Sequence, residues 1–118
     1  MNYQGVFKKG QELFLSTCSA SCEPHANIVI SLGFYDDKLL IADAQMTTTI
    51  KNLSENNKIC VIAKGDGLYY RIKGTVEIFN SGEYFDICKN ADKENPARNA
   101  ILITVNEVFD LDKVIKII

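Results

Sequence analysis

A mainly β fold is predicted, an antiparallel barrel of six short strands with two or three small helices. Three observations carry that prediction. Apolar and polar residues alternate with a period of two, most plainly where Tyr70, Ile72, Gly74, Val76 and Ile78 share one face and Arg71, Lys73, Thr75 and Glu77 the other. Turn-forming clusters punctuate the chain at short intervals. The strand–helix–strand alternation that builds a parallel sheet is missing.

The elements follow in order. Residues 3–9 suit one or two helical turns before Gly10, and Glu12–Cys18 is short, apolar and β-leaning. Small polar residues and Pro24 make 19–24 a turn, with His25 expected to cap it. The β-branched Ile28, Val29 and Ile30 mark a strand over 26–35, and Asp36-Asp37-Lys38 turns it into the next, 39–43. A helix is expected over 47–56, with Ile50 and Leu53 on one face. Strands at 59–63 and 69–79 flank a Gly65-Asp66-Gly67 turn, and the alternation breaks at Phe79. A short helix over 84–89 precedes a polar stretch, 90–99, expected to be mobile. The last strand covers 100–109, and the apolar tail 114–118 needs a partner subunit or an extra edge strand to cover it.

Length and composition bound the function. The 118 residues suit one domain spanning 1–118, burying about 60–70% of the unfolded surface without metal or disulfide staples. With 13 basic against 15 acidic residues the net charge is −2, which disfavours a nucleic acid or an anionic membrane as partner. No apolar run approaches the roughly 20 residues that span a bilayer, and no hydrophobic signal segment opens the chain, so a cytoplasmic location is expected. Cys18 and Cys22 are spaced C-x3-C, while Cys60 and Cys88 stand apart. No second Cys/His pair completes a tetrahedral metal set, so all four are expected as small buried residues of a reducing compartment.

The stretch 39–53 carries the functional lead. An apolar strand stops, Thr47, Thr48 and Thr49 follow, and a helix opens with Lys51 in its first turn. Threonine suits a helix N-cap, whereas a cation is disfavoured there by about 0.3–1 kcal/mol. Free amides, hydroxyls and a cation at one helix N-terminus describe a phosphate seat. His25 has no carboxylate or serine at motif spacing, so general-base catalysis is not read from it. Tyr69, Tyr70 and Arg71 are read as strand packing rather than ligand contacts.

The ordered set Phe14-Leu15-Ser16-Thr17, Glu23-Pro24-His25-Ala26-Asn27, Leu40-Ile41-Ala42-Asp43, the run from Met46 to Asn56, Tyr70-Arg71-Ile72-Lys73-Gly74-Thr75-Val76-Glu77-Ile78, Gly82-Glu83-Tyr84-Phe85 and Ala100-Ile101-Leu102-Ile103-Thr104-Val105 resembles the pyridoxamine 5′-phosphate oxidase-like, FMN-binding split-barrel superfamily, especially its short single-domain members. The resemblance runs over about residues 7–110. It implies a six-stranded split β-barrel forming a homodimer, with FMN at the subunit interface. It further implies that Gln45, Met46, Thr48, Thr49, Lys51 and Asn52 hold the ribityl phosphate. Asn27, Ile28, Val29, Ile30 and Ser31, with Ile41, Ala42 and Asp43, would line the isoalloxazine ring, largely through backbone groups. Many members carry a further basic residue near the position of Thr48, which leaves Lys51 as the main cation here. The C-terminal extension that bears the substrate-binding basic residues of the true oxidases has no counterpart, so efficient turnover of pyridoxamine 5′-phosphate is not expected. A flavin-dependent oxidoreductase or electron carrier is the reading that follows. Its rivals are a non-catalytic module for a flavin or related nucleotide, and a cofactor-free dimeric barrel.

Overall fold

Alternation organises the sheet in the computed structural model, which describes residues 3–118. β1 (Glu12–Cys18) buries Leu13, Leu15 and Thr17 and exposes Glu12, Phe14 and Ser16. β2 (Pro24–Ile30), β5 (Lys58–Gly65) and β6 (Leu68–Phe79) alternate likewise. The strands run in the order β2-β1-β5-β6-β7-β4-β3, where β3 is Phe34–Tyr35, β4 Lys38–Asp43 and β7 Asn99–Asp110, and β8 (Ile115–Lys116) pairs with β7. Every pairing is antiparallel. The inward faces bury Leu13, Leu15, Val61, Ile72, Ile101, Ile103 and Val108 in one core, closed over by Phe7.

Eight strands stand where six were expected, because two are only two residues long. β3 exists because the stretch 26–35 breaks rather than running on as one strand. The Ser31 hydroxyl donates to the Phe7 carbonyl (2.7 Å) and accepts the Gly33 N–H (2.9 Å), a local alternative to ladder pairing. Gly33 takes φ of +90°, which a residue without Cβ adopts freely. Across the break the Ser31 N–H bonds the Gln11 carbonyl beyond β1, while the Leu32 N–H bonds the Leu40 carbonyl in β4. One chain segment thereby joins the two ends of the strand order.

β4 and the first half of β7 lack alternation for a physical reason: both are covered on both faces. Leu39, Ile41, Ile101 and Ile103 point into the main core, whereas Leu40, Ala100 and Leu102 pack with Cys88 beneath α2 (Glu83–Ala91). At Gly74 the β6–β7 register shifts, with Lys73 opposite Glu107 and Gly74 opposite Val105, so Asn106 is an unpaired bulge residue. A Cβ on Gly74 would lie 2.3 Å from the Thr104 carbonyl oxygen, so only glycine fits.

Other expectations need correction. The first helical segment is a single 3₁₀ turn, Tyr3–Gly5. The second helix starts one residue earlier and ends two residues later than expected, at Glu83 and Ala91, and the polar stretch after it folds back, with the Glu94 and Asn95 N–H groups on Asp92 Oδ1 (3.0 and 3.2 Å) and the Arg98 N–H on the Asp43 carbonyl (2.7 Å). The tail does supply an edge strand, β8, yet Val114, Ile115, Ile117 and Ile118 remain exposed.

Candidate functional site

The site is built where β4 hands over to α1 (Thr47–Glu55). Asp43 ends the strand fully buried, and its carboxylate accepts the Met46 N–H (2.7 Å), Asn99 Nδ2 (2.8 Å) and Arg98 Nη2 (3.3 Å). That carboxylate folds residues 43–46 into a tight corner, with its oxygens satisfied by three donors of which Arg98 also offsets its charge. Met46, not a threonine, occupies the N-cap position, and no side chain caps the helix. Thr47 bonds back to the Gln45 carbonyl through its N–H (3.0 Å). The N–H groups of Thr48 and Thr49, in the first turn, have no intrahelical partner.

The threonines and their neighbours then divide by depth. Thr49 and Asn52 are buried and clamp α1 to the β1–β2 hairpin: Thr49 Oγ1 donates to Asn27 Oδ1 (3.0 Å), and Asn52 Nδ2 donates to Thr17 Oγ1 (3.1 Å). A hydroxyl has one proton, so Thr49 cannot also donate to a ligand while it holds Asn27. Thr48 and Lys51 are exposed. Lys51 is the fifth residue of the helix rather than a member of its first turn, and among the described residues it makes no ion pair.

Three adjoining cavities run along this corner. One of about 540 Å³ is walled by Asn27, Ile28, Val29, Ile30, Ala42, Gln45 and Met46, and on its far side by Cys88, Ala91, Asp92 and Asn95 from α2 and the loop after it. The second, about 260 Å³, shares Asn27, Gln45 and Met46 with the first and adds His25, Thr47, Thr48 and Thr49. A third, about 430 Å³, shares His25 and Thr48 with the second and adds Ser19, Glu23, Lys51, Asn52 and Glu55. The result is one trough, apolar and broad at one end, and at the other rich in hydroxyls, with Lys51 set among the carboxylates of Glu23 and Glu55.

Eleven of the expected ligand residues line this trough: Asn27, Ile28, Val29, Ile30, Ala42, Gln45, Met46, Thr48, Thr49, Lys51 and Asn52. The remaining three do not. The Ile41 side chain is in the main core, Ser31 is turned to Phe7, and Asp43 is buried in its own donor set. Tyr70 is core, Tyr69 packs against Lys64 (5.3 Å), and Arg71 lies over Phe109 (4.8 Å), which agrees with reading that trio as packing.

His25 and the α2 wall also line the trough, outside the expected ligand set. His25 does not cap the hairpin turn; Ser19 Oγ does so by accepting the Glu23 N–H (3.1 Å). No spacing rule connects Cys88, Asp92 or Asn95 to a strand some sixty residues earlier. Burial pushes the Cys88 thiol up to about 11, so it stays protonated at neutral pH and is no nucleophile. The Asn95 and Glu94 amides hold the Asp92 carboxyl below its ordinary value, which keeps it anionic. Of the cysteines, only Cys88 is buried; Cys22 is exposed in the hairpin turn, against the expectation of four buried thiols. A separate cavity of about 430 Å³ crosses the outer face of β1, β5 and β6 past Cys18 and Cys60, and none of the expected ligand residues reaches it.

Known proteins share this sequence pattern and this arrangement. The sequence profile of the pyridoxamine 5′-phosphate oxidase family matches residues 2–112. The chain belongs to that family. An uncharacterised protein of Methanocaldococcus jannaschii is 30% identical to this family member over 107 residues, 84% of this chain and 72% of its own length. The HupZ protein of Group A Streptococcus superposes with a TM-score of 0.84 at 24% identity, covering 98% of both chains. An FMN-binding protein of Syntrophomonas wolfei superposes with a TM-score of 0.78 at 20% identity, over 92% of this chain and 82% of that one. At those identities the two structures share the fold of this family member.

Proposed function

We propose that the chain binds FMN in the trough and works as a homodimeric flavin-dependent oxidoreductase or electron carrier. The observation that carries this reading is the trough's polarity. A wall of Ile28, Ile30, Ala42 and Met46 suits a flat apolar ring, and Thr48, Lys51 and the free amides of α1 suit the phosphate at the other end of the same molecule. Such a flavin supplies hydride and single-electron chemistry, while the protein supplies binding and orientation. Thr48 and Lys51 would take the phosphate directly. Thr49, Asn52 and Asp43 would act at one remove, by fixing the helix they stand on or beside.

The ring end is walled by Cys88 and Asp92 as its titratable side chains among the described residues, one held protonated and the other ionised. Neither is matched to proton transfer near pH 7, which favours electron carriage or flavin holding over a reaction that needs a protein acid or base. The four unpaired cysteines fit a reducing, cytoplasmic setting. Among the described residues no helix is long and apolar enough to cross a membrane.

The visible spectrum of the purified protein, with the released cofactor identified by mass, tests this reading. Bound FMN is the expected result. A colourless protein that also fails to take up added FMN would overturn it in favour of a cofactor-free barrel. Reoxidation kinetics with candidate acceptors then separates a catalyst from a flavin-holding module.

A further inference from the structure

We propose that His25 is the second cation of the phosphate end of the trough, doing with Lys51 what a basic residue near Thr48 would otherwise do. The inference rests on the reading that a flavin phosphate occupies the mouth of α1. Its geometric basis is the pair of hydrogen bonds that clamp α1 to the hairpin. β2 alternates, with His25, Asn27 and Val29 half-buried on one side and Ala26, Ile28 and Ile30 exposed on the other. Asn27 receives Thr49 of α1, and Thr17, the cross-strand partner of His25, receives Asn52. His25 stands about 6–7 Å along the strand from Asn27 on that same side, so it is held between the two clamps and faces the first turns of the helix. It borders both cavities that contain Thr48, and Lys51 borders the second of them.

The chemistry around the ring agrees. Among the described residues nothing hydrogen-bonds the imidazole; in the adjoining turn the Ser19 hydroxyl is engaged by Ser21 and by the Glu23 N–H, while the Glu23 carboxylate makes no hydrogen bond or ion pair. The charged groups around the same cavity are Lys51 and Glu55 of α1 and Glu23 of the turn. Glu55 Oε1 is engaged by the Ala20 N–H (3.1 Å) at the hairpin end. Glu23 and Glu55 balance an imidazolium and the Lys51 ammonium in charge, and a phosphate that enters accepts from both cations while also taking the Thr48 hydroxyl. A histidine is the side chain that makes such a contact dependent on pH in the physiological range.

The test compares the affinities of FMN and riboflavin, measured by quenching of flavin fluorescence on binding to the flavin-free protein at about pH 6 and about pH 8.5, on either side of the ordinary histidine range. The variants are His25→Gln and His25→Arg. Loss of phosphate charge at the lower pH is common to every protein compared, so it cancels in the ratio between variant and parent. The preference for FMN over riboflavin is expected to fall about three- to tenfold in His25→Gln at the lower pH and to match the parent at the higher. His25→Arg should keep the preference at both. If His25→Gln and the parent show the same preference for FMN at both pH values, His25 is not part of the seat although the seat itself stands. If even the parent binds riboflavin as well as FMN, the phosphate reading and this proposal fall together. Unchanged riboflavin affinity in each variant serves as the control that the fold is intact.

Discussion

Lys51 and Thr49 are two residues apart, yet they stand in opposite relations to a ligand. Lys51 is exposed and unpaired among the described residues, whereas Thr49 is buried and has committed its only hydroxyl proton to Asn27. Lys51→Ala should therefore weaken FMN by about tenfold through loss of a charge-assisted contact, with riboflavin hardly affected. Its stability should stay nearly level, because the fifth residue of a helix lies beyond the reach of the dipole's positive end. Thr49→Val should show the reverse: a stability loss of about 1 kcal/mol in urea unfolding, from the orphaned Asn27 oxygen, and equal modest losses for FMN and riboflavin. A tenfold loss confined to FMN in Thr49→Val would put that hydroxyl on the phosphate after all. The sequence placed both residues on the same helix, near its entrance. It could not separate them, since depth is decided by what packs on the helix, here the β1–β2 hairpin.

At the scale of elements, strands and turns were legible where each obeys a local rule. Asp36-Asp37 and Asp66-Gly67 take positive φ at both positions, as two-residue hairpin turns require, and β6 alternates as its residues do. The misreadings fall where a side chain overrides the local rule: Ser31 breaks a β-branched run, and Asp43 replaces a threonine cap as the group that meets the helix entrance. Gly74 is a strand residue whose necessity no period reveals. Gly74→Ala would drive a Cβ into the Thr104 carbonyl at the β6–β7 bulge. A loss of about 2–4 kcal/mol is expected in urea unfolding, since backbone rather than a movable side chain is in the way. A loss below about 0.5 kcal/mol would mean that the bulge yields readily.

On the scale of the whole molecule, an apolar row crosses the outer face. Phe14 lies opposite Ile28 on one side and Ile62 on the other, all three exposed, with Ile30 beside them. Ile28 and Ile30 also wall the broad end of the trough, so whatever covers this row sits against that end. A second copy of the chain is the expected cover. Sedimentation should give a dimer, and Phe14→Glu should shift it to monomer while lowering flavin affinity. A monomeric parent that holds flavin at full strength would separate the ring site from any interface.

Alternation, turn residues and the run of threonines sufficed to determine a mainly antiparallel β fold and the strand-to-helix corner between β4 and α1, because periodicity and turn chemistry act between near neighbours in the chain. Tertiary structure alone decided that His25 faces α1, that Cys88 and Asp92 wall the broad end of the trough, and that Thr49 and Asn52 are buried braces. Those relations join residues twenty to sixty positions apart. They arise only when the sheet brings β2 beside one helix and β4 beneath another, and no local spacing encodes which side chains then meet.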